Sequence, residues 1–124
     1  MELPVQTLCP CSKEISAYGA HNQRALIRSL IRFNIPGQIV WLEDLIELLR
    51  VQGSCPVYPV LKREDEKFVT ESAYQNPKFV EDVLRDSVLS LRSDPRITWF
   101  WVEVESFESI HNHSVFASHM ETNP

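Results

Sequence analysis

The chain has 124 residues, of which 44% are hydrophobic and 23% are charged, so it can form one domain with an ordinary hydrophobic core and has no room for a second full one. Its net charge of -5 excludes the strongly basic surface that proteins use to bind long nucleic acid. It has no run of 18 apolar residues and no signal peptide at Met1 to Pro4, so we expect a cytoplasmic protein that does not enter the membrane.

The first part of the chain begins with a predicted strand, Leu3 to Leu8, which is followed by an irregular stretch from Cys9 to Arg24. The segment from Ala25 to Asn34 fits two patterns, because its apolar residues are spaced as in a helix and also partly alternate as in a strand. Periodicity alone slightly favours the helix. After a break at Pro36-Gly37, an amphipathic helix is predicted that ends before Gly53. Its apolar stripe consists of Trp41, Leu45, Leu48 and Leu49.

The second half is predicted to contain one more helix and a hairpin. The helix opens at Asn76-Pro77, a good cap and first-turn pair, and stops near Asp94-Pro95. A long alternating strand follows from Arg96 to Glu105. A second strand around His113 to Ser118 completes an antiparallel hairpin, and the tail beyond His119 is expected to be loose.

Two cysteines and a histidine stand close together in the irregular stretch, at Cys9, Cys11 and His21. Thiolate and imidazole together suit a borderline-soft divalent metal such as zinc. Their spacing matches no structural zinc pattern, however, and an inert buried cysteine pair explains the same thiols. The total of three cysteines is odd, which argues against a secreted disulfide framework. On these residues alone, both interpretations stay open.

His111 and His113 are two residues apart, so an extended backbone places both imidazoles on the same side. Such a pair can bind metal, transfer protons or hold phosphate. Three glutamates lie just upstream, at Glu103, Glu105 and Glu108, so that carboxylates and imidazoles can converge where the hairpin turns. An ordinary surface position is an equally good interpretation for each histidine.

Three blocks of the sequence, taken together, resemble one family. They are TLCPCSKEISAYGAHNQR (Thr7 to Arg24), KREDEKFVTESAYQNPKFVEDVLRD (Lys62 to Asp86) and FESIHNHSVFA (Phe107 to Ala117). In this order they resemble the type IB GTP cyclohydrolases over nearly the whole chain. The resemblance implies the tunnelling fold, an α+β unit of two strands, two helices and two strands (ββααββ). It predicts an antiparallel four-stranded sheet with two helices on one face, and it implies that Ala25 to Asn34 is a strand.

The resemblance also implies that the chain is part of a larger assembly. Family members carry a second unit of similar size before the part that matches, so residues 1–124 correspond to a single tunnelling-fold domain, the C-terminal half, without the N-terminal unit. A barrel would form by assembly, as a homo-oligomer or with a separate polypeptide that supplies the N-terminal half. The chain would then be a split-gene subunit, a truncated product or an excised piece, and the oligomer order stays open.

In that family a metal ion is held by the cysteine and the histidine of the first block and by a glutamate before the second helix. These positions correspond to Cys9, His21 and Glu66, with Glu64 close enough to be confused with Glu66. Such ligands accept zinc, manganese and iron alike, so the divalent metal is not specified. Glu81, early in the second helix, matches the family residue that hydrogen-bonds the guanine edge of the substrate.

The implied function is metal-dependent hydrolysis of GTP at C8, which gives 7,8-dihydroneopterin triphosphate and formate and is the first step toward folate-type pterins. Cys9, Cys11, His111 and His113 are assigned to the catalytic site, the last three as acid-base or positioning groups. One alternative is a catalytically silent half-enzyme that serves as an assembly or binding module. The other is a deazaguanine nitrile reductase of the same fold, although that family lacks the His-Asn-His block.

Overall fold

The computed structural model describes residues 1–34 and 38–123 and shows an α+β chain, which confirms the predicted fold class. In chain order its elements are β1 (Glu2–Leu8), α1 (Pro10–Ile15), β2 (Asn22–Phe33), α2 (Leu42–Leu49), β3 (Cys55–Pro56), α3 (Arg63–Tyr74), α4 (Val80–Ser93), β4 (Ile97–Ser106) and β5 (Val115–Thr122). The predicted break at Pro36-Gly37 lies outside the described residues. Within the described ranges, no helix has the length and apolar character needed to cross a membrane.

The strands form one antiparallel sheet in the order β3-β1-β2-β4-β5. Four long strands correspond to the predicted four-stranded sheet. A fifth strand, β3, adds two residues at one edge, where Gln6 pairs with Cys55. The single chain therefore forms an open sheet, with β3 at one edge and β5 at the other.

The hydrophobic core lies between one face of the sheet and helices α2 and α4. Ile27 on β2 and Phe100 and Val102 on β4 are fully buried there. Helix α2 contributes Leu49 to the same cluster, and α4 contributes Leu91. Burial of one such large apolar side chain stabilises the fold by about 1.5–3 kcal/mol. The two helices that the sequence predicts are thus the ones that cover the sheet.

Strand β2 is the segment that fits both a helical and a strand pattern. It pairs with β1 on one side and with β4 on the other, as the resemblance implies. Ala25, Ile27 and Ser29 are buried, whereas Leu30 is 58% exposed, and this alternation has the period of a strand. The helical preference is wrong because pairing on both sides overrides a weak local periodicity.

The helices differ from the prediction in three places. Helix α1 occupies part of the stretch predicted to be irregular, with Pro10 at its first position. Helix α3 was not predicted, since Ala73 is the one buried residue among its twelve and the segment has little apolar periodicity. Helix α4 begins after Phe79, not at Asn76-Pro77, because the Phe79 N–H donates to the Asp82 side chain at 2.9 Å and caps the helix there.

The last strand is longer than predicted. Strand β5 extends to Thr122, so the expectation of a loose tail beyond His119 is wrong. The Arg92 guanidinium on α4 donates two hydrogen bonds to Glu121, at 2.7 and 2.8 Å. The backbone N–H of Asn123 also donates to a β4 carbonyl at 2.8 Å. These contacts tie the end of the chain to both α4 and β4.

The second face of the sheet is called the open face here, and it carries Leu30, Trp101 and Met120. These three side chains are neighbours across β2, β4 and β5, and Leu30 and Met120 are 58% and 61% exposed. Beside this apolar row, Arg28 donates to two carboxylates of β4. An exposed apolar row of this kind is typical of a surface that another protein covers.

Candidate functional site

A cavity of about 230 Å³ lies at the end of the sheet, where β1 ends and the connection between β4 and β5 turns back. Its ionisable lining residues are Cys9, His21, Lys78, Glu108, His111 and His113. They come from all three blocks that carry the family resemblance. The fold therefore brings these blocks together at one place, although up to about a hundred residues separate them in the sequence.

Cys9 is held at the start of α1, with its side chain partly buried. Its Sγ accepts a hydrogen bond from the Ser12 N–H at 3.4 Å, and its own N–H donates to the His21 carbonyl at 3.0 Å. The Ser12 hydroxyl donates to the Cys9 carbonyl and accepts from the His21 N–H, both at 3.2 Å. These bonds close the loop around α1, so the thiol and the imidazole line the same cavity.

The imidazole of His21 is anchored through one of its two nitrogens. Its Nδ1 lies 3.0 Å from Oε1 of Gln23, whose Nε2 donates to the Thr7 hydroxyl at 3.1 Å. Thr7 in turn lies 3.2 Å from the hydroxyl of Ser106, and both of these residues are buried. The contact at Nδ1 leaves Nε2 as the nitrogen available to a ligand.

His111 and His113 lie together in the connection between β4 and β5. Their rings stack with 5.3 Å between centroids and 16° between planes. The sequence predicts that His113 lies in the last strand, but that strand, β5, begins at Val115. His113 therefore lies in the connection before β5. Both rings still reach the same cavity, although both residues are exposed. The predicted pair therefore lines the cavity together with Cys9 and His21.

The three glutamates upstream of the histidines separate into two groups. Glu103 and Glu105 lie on the open face, where Arg28 donates to them at 2.9 and 2.8 Å. The hydrogen bond from Arg28, helped by one from the Ser114 hydroxyl, holds the pKa of Glu105 below its usual range. Glu108 alone of the three lines the cavity. Carboxylate and imidazole groups therefore converge there through Glu108 only.

Four of the predicted site residues do not line the cavity. Cys11 is exposed on α1. Glu81 is exposed in the first turn of α4, directly after two residues that do line the cavity. Glu64 and Glu66 are exposed on α3 and border a separate depression of about 560 Å³. In the single chain, Glu66 is therefore not grouped with Cys9 and His21.

The donors at the cavity fit a divalent metal in part. Cys9 and His21 supply the thiolate and imidazole ligands that zinc and related metals accept. Across residues 1–34 and 38–123, however, no three His, Cys, Asp or Glu side chains are grouped closely enough to hold an ion. A complete metal site needs at least one further ligand that this arrangement does not bring to the cavity.

Lys78 is a cavity residue that sequence analysis did not single out. Its ammonium donates to Asp86 at 2.7 Å and to the Gln52 carbonyl at 2.9 Å, and its side chain is only 16% exposed. These contacts hold the residues that precede α4 against the segment that follows α2. The sequence feature that could have identified Lys78 is its position in the second block, immediately before Phe79, an apolar residue of the cavity wall.

The family model and the related proteins that match this chain all point to the same family. A family model described as "Type I GTP cyclohydrolase folE2" matches residues 1–117. The chain is 59% identical over 117 residues to the GTP cyclohydrolase FolE2 of Syntrophobacter fumaroxidans and 61% identical over 117 residues to that of Thermosipho africanus. Each alignment covers 94% of this chain and 44% of the relative. The chain thus spans less than half the length of the curated relatives it matches.

Proposed function

Since the chain belongs to the type I GTP cyclohydrolase FolE2 family, we propose that it forms the metal-dependent catalytic part of an enzyme that converts GTP and water into 7,8-dihydroneopterin triphosphate and formate. The observation that carries this proposal is the single cavity to which Cys9, His21, Glu108 and the histidine pair contribute. A pocket in which acid-base groups and metal-type ligands converge is a candidate active site. The cytoplasmic location expected from the sequence is part of the same proposal.

Cys9 and His21 would hold the divalent ion, which is zinc, manganese or iron on the chemistry of these ligands. When bound, the ion supplies Lewis acidity near C8 of the guanine. The loop around α1 fixes both ligands before any ion arrives, because four hydrogen bonds already join Cys9, Ser12 and His21. Such preorganisation lowers the cost of ordering the site on binding.

His111 and His113 would move protons at the ring nitrogens and at the ribose as the imidazole ring of GTP opens and, after formate has left, the new ring of the pterin closes. Their rings stack with 5.3 Å between centroids, so both imidazoles would be close enough to serve the same substrate, one as acid and the other as base. Glu108 lines the same cavity and would be a further acid-base group for this chemistry. The acid-base role predicted for Cys11 stays a prediction, since its thiol is exposed on α1.

Glu81 would accept hydrogen bonds from N1–H and the 2-amino group of guanine. Its carboxylate is exposed in the first turn of α4, beside the cavity wall. Asp82, its neighbour, already accepts the capping bond from Phe79, so Glu81 is the carboxylate of this turn that remains available. Two parallel charge-assisted bonds would recognise guanine and reject adenine, which presents no such pair of donors.

The cavity would be completed only in an assembled protein. The open face exposes Leu30 and Met120, and β5 leaves one long edge of the sheet available for pairing. Further copies of the chain, or a separate polypeptide with the N-terminal unit, would close the barrel against these surfaces. Glu66 stays the third ligand that the resemblance predicts, and the assembly would have to bring its carboxylate to Cys9 and His21.

Formate release from GTP, followed with a coupled dehydrogenase assay, tests this function. The chain is assayed alone and after mixing with the N-terminal unit of a relative, each with added zinc, manganese or ferrous iron. Metal-dependent formate release in either case supports the proposal. A well-folded assembly that binds GTP but never releases formate would favour the silent assembly module instead. Nicotinamide-dependent reduction of a deazaguanine nitrile would favour the reductase.

A further inference from the structure

We propose that Gln23 is a positioning residue that fixes the tautomer of His21, so that Nε2 is unprotonated and offers its lone pair to a ligand in the cavity. This inference rests on the proposed function, because it makes His21 a ready ligand for the metal. It concerns a hydrogen-bond chain that runs from His21 through Gln23 and Thr7 to Ser106. Thr7 and Gln23 lie in the first block of the family resemblance, but neither they nor Ser106 was assigned a role from it.

The backbone brings together the four side chains that form this series of hydrogen bonds. His21 and Gln23 are two residues apart at the beginning of β2, so their side chains share one face. Gln23 is the direct partner of Thr7 in the pairing of β1 with β2. Ser106 ends β4 next to them, because it pairs with Ala25 on β2. Thr7 and Ser106 are each only 1% exposed, so water does not compete for their hydroxyls.

The direction of the hydrogen bonds determines the tautomer. The Gln23 amide presents Nε2 to Thr7 at 3.1 Å and Oε1 to His21 Nδ1 at 3.0 Å. An amide oxygen only accepts, so Nδ1 must carry the proton of neutral His21. The Ser109 hydroxyl donates to the same oxygen at 3.4 Å, which adds to this orientation. Neutral imidazole has one proton, and Nε2 is therefore left unprotonated.

The opposite direction is chemically possible and gives the opposite result. Ser106 would donate to Thr7, and Thr7 to the oxygen of a flipped Gln23 amide. The amide N–H would then donate to Nδ1 of His21, so that the ring proton resides on Nε2. A protonated Nε2 cannot bind a metal. The two directions therefore predict different spectra and different metal affinities, which makes the proposal testable.

The first test is long-range proton–nitrogen correlation NMR on the metal-free, nitrogen-15 labelled chain, at a pH where His21 is neutral. We expect Nδ1 of His21 to carry the proton in the wild type and in Gln23→Glu, because a carboxylate also only accepts. Gln23→Leu should lose this preference. Gln6→Leu is the matched control, since Gln6 holds the Asn22 side chain at the same end of the sheet without contacting His21. A proton on Nε2 in the wild type would overturn the proposal.

The second test is the zinc affinity of the assembled protein, measured by competition with a chromophoric chelator. Gln23→Leu should bind zinc about 10-fold to 100-fold more weakly, the usual loss when the partner of a metal-binding histidine is removed. Gln23→Glu and Gln6→Leu should stay close to the wild type. If Gln23→Leu does not fold, the nearly isosteric Gln23→Met replaces it. Equal zinc affinity in wild type and the folded apolar variant would overturn the role of Gln23.

The two tests separate this inference from the proposed function. The NMR experiment needs neither metal nor GTP. A Gln23-dependent Nδ1 proton in a protein whose assembled form binds no zinc would refute the proposed metal site and still support the orientation of His21 by Gln23.

Discussion

The side chains of the cavity are held by different kinds of contact. The loop around α1 fixes Cys9, an amide fixes His21, and ring stacking holds His111 against His113. The first two positions are therefore better defined than the histidine pair, which is exposed and can adjust to a bound substrate. Substitutions at these positions should have separable effects on metal binding and on proton transfer.

Glu81→Gln should weaken GTP binding by about 2 kcal/mol or more, because a bidentate contact to a carboxylate becomes a mismatched contact to an amide. Folding should change little, since the side chain is exposed. Glu43→Gln is the matched control, as Glu43 is an exposed glutamate in the first turn of α2. Calorimetry on an assembly that binds GTP measures both. Equal affinity of wild type and Glu81→Gln would remove Glu81 from the substrate site.

Several cavity residues could be predicted because their chemistry stands out in the sequence. Cys9, His21, His111 and His113 are of this kind, and the resemblance assigned them together. Gln23 could not be identified in this way, since its role depends on the pairing of β1 with β2. The separation of Glu66 from the cavity is equally a property of where α3 lies. The pairing of strands and the placement of a helix depend on tertiary structure, and they cannot be predicted from the type of a residue.

At the scale of elements, the prediction was best where burial is one-sided. Strand β4 and helices α2 and α4 each bury one stripe, so their periodicity was visible in the sequence. Helix α3 buries only Ala73 and was missed. Strand β2 was ambiguous because Leu26 and Leu30, on its open face, are apolar as well. An exposed apolar side chain on a strand imitates a helical stripe, and only the strand partners decide between the two.

Gly53→Ala should destabilise the fold by about 1–3 kcal/mol, the usual cost of overpacking. A Cβ at this position would lie 2.8 Å from the Cβ of Val5 and 2.9 Å from the backbone oxygen of Gln6, so β1 or the segment before β3 must shift. Gly19→Asn is the contrasting control, because within residues 1–34 and 38–123 no heavy atom beyond its two chain neighbours lies within 4 Å of a Cβ there, and Asn tolerates its φ of +67°. Denaturant unfolding compares the two. A wild-type midpoint for Gly53→Ala would contradict the close contact.

The tie between α4 and β5 should make stability fall at acidic pH. Arg92, together with His119, lowers the pKa of Glu121 to about 2. Because the folded pKa lies below the unfolded value of roughly 4.3, this contribution is complete above that value and is lost as the pH falls toward 2. Glu121→Gln should therefore show a flatter dependence of the thermal midpoint on pH between 5 and 2. Parallel curves for variant and wild type would show that this ion pair does not cause the loss of stability at acidic pH.

At the scale of the whole molecule, the open sheet predicts self-association. We expect a mass in light scattering above the 14.4 kDa of one chain at micromolar concentration, because the edge strand β5 and the open face need a partner. Met120→Lys should shift the mass toward one chain, whereas Ile15→Lys should not, although Ile15 is 80% exposed. A monomeric mass for a wild type that melts cooperatively would contradict the expected assembly.

The central claim is that the cavity of Cys9 and His21 is a catalytic metal site. Cys9→Ala removes one of the two proposed ligands, so a tightly held ion should be lost together with formate release from GTP. The fold should survive, because a catalytic metal is usually dispensable for folding. Cys11→Ala should retain the ion, because that thiol is exposed outside the cavity.

Elemental analysis of wild type, Cys9→Ala and Cys11→Ala after dialysis tests this claim most directly, when all three are purified in the assembly that binds GTP. We expect one divalent ion per chain in the wild type and in Cys11→Ala, and none in Cys9→Ala. One ion per chain in Cys9→Ala, with loss of the ion in Cys11→Ala, would contradict it.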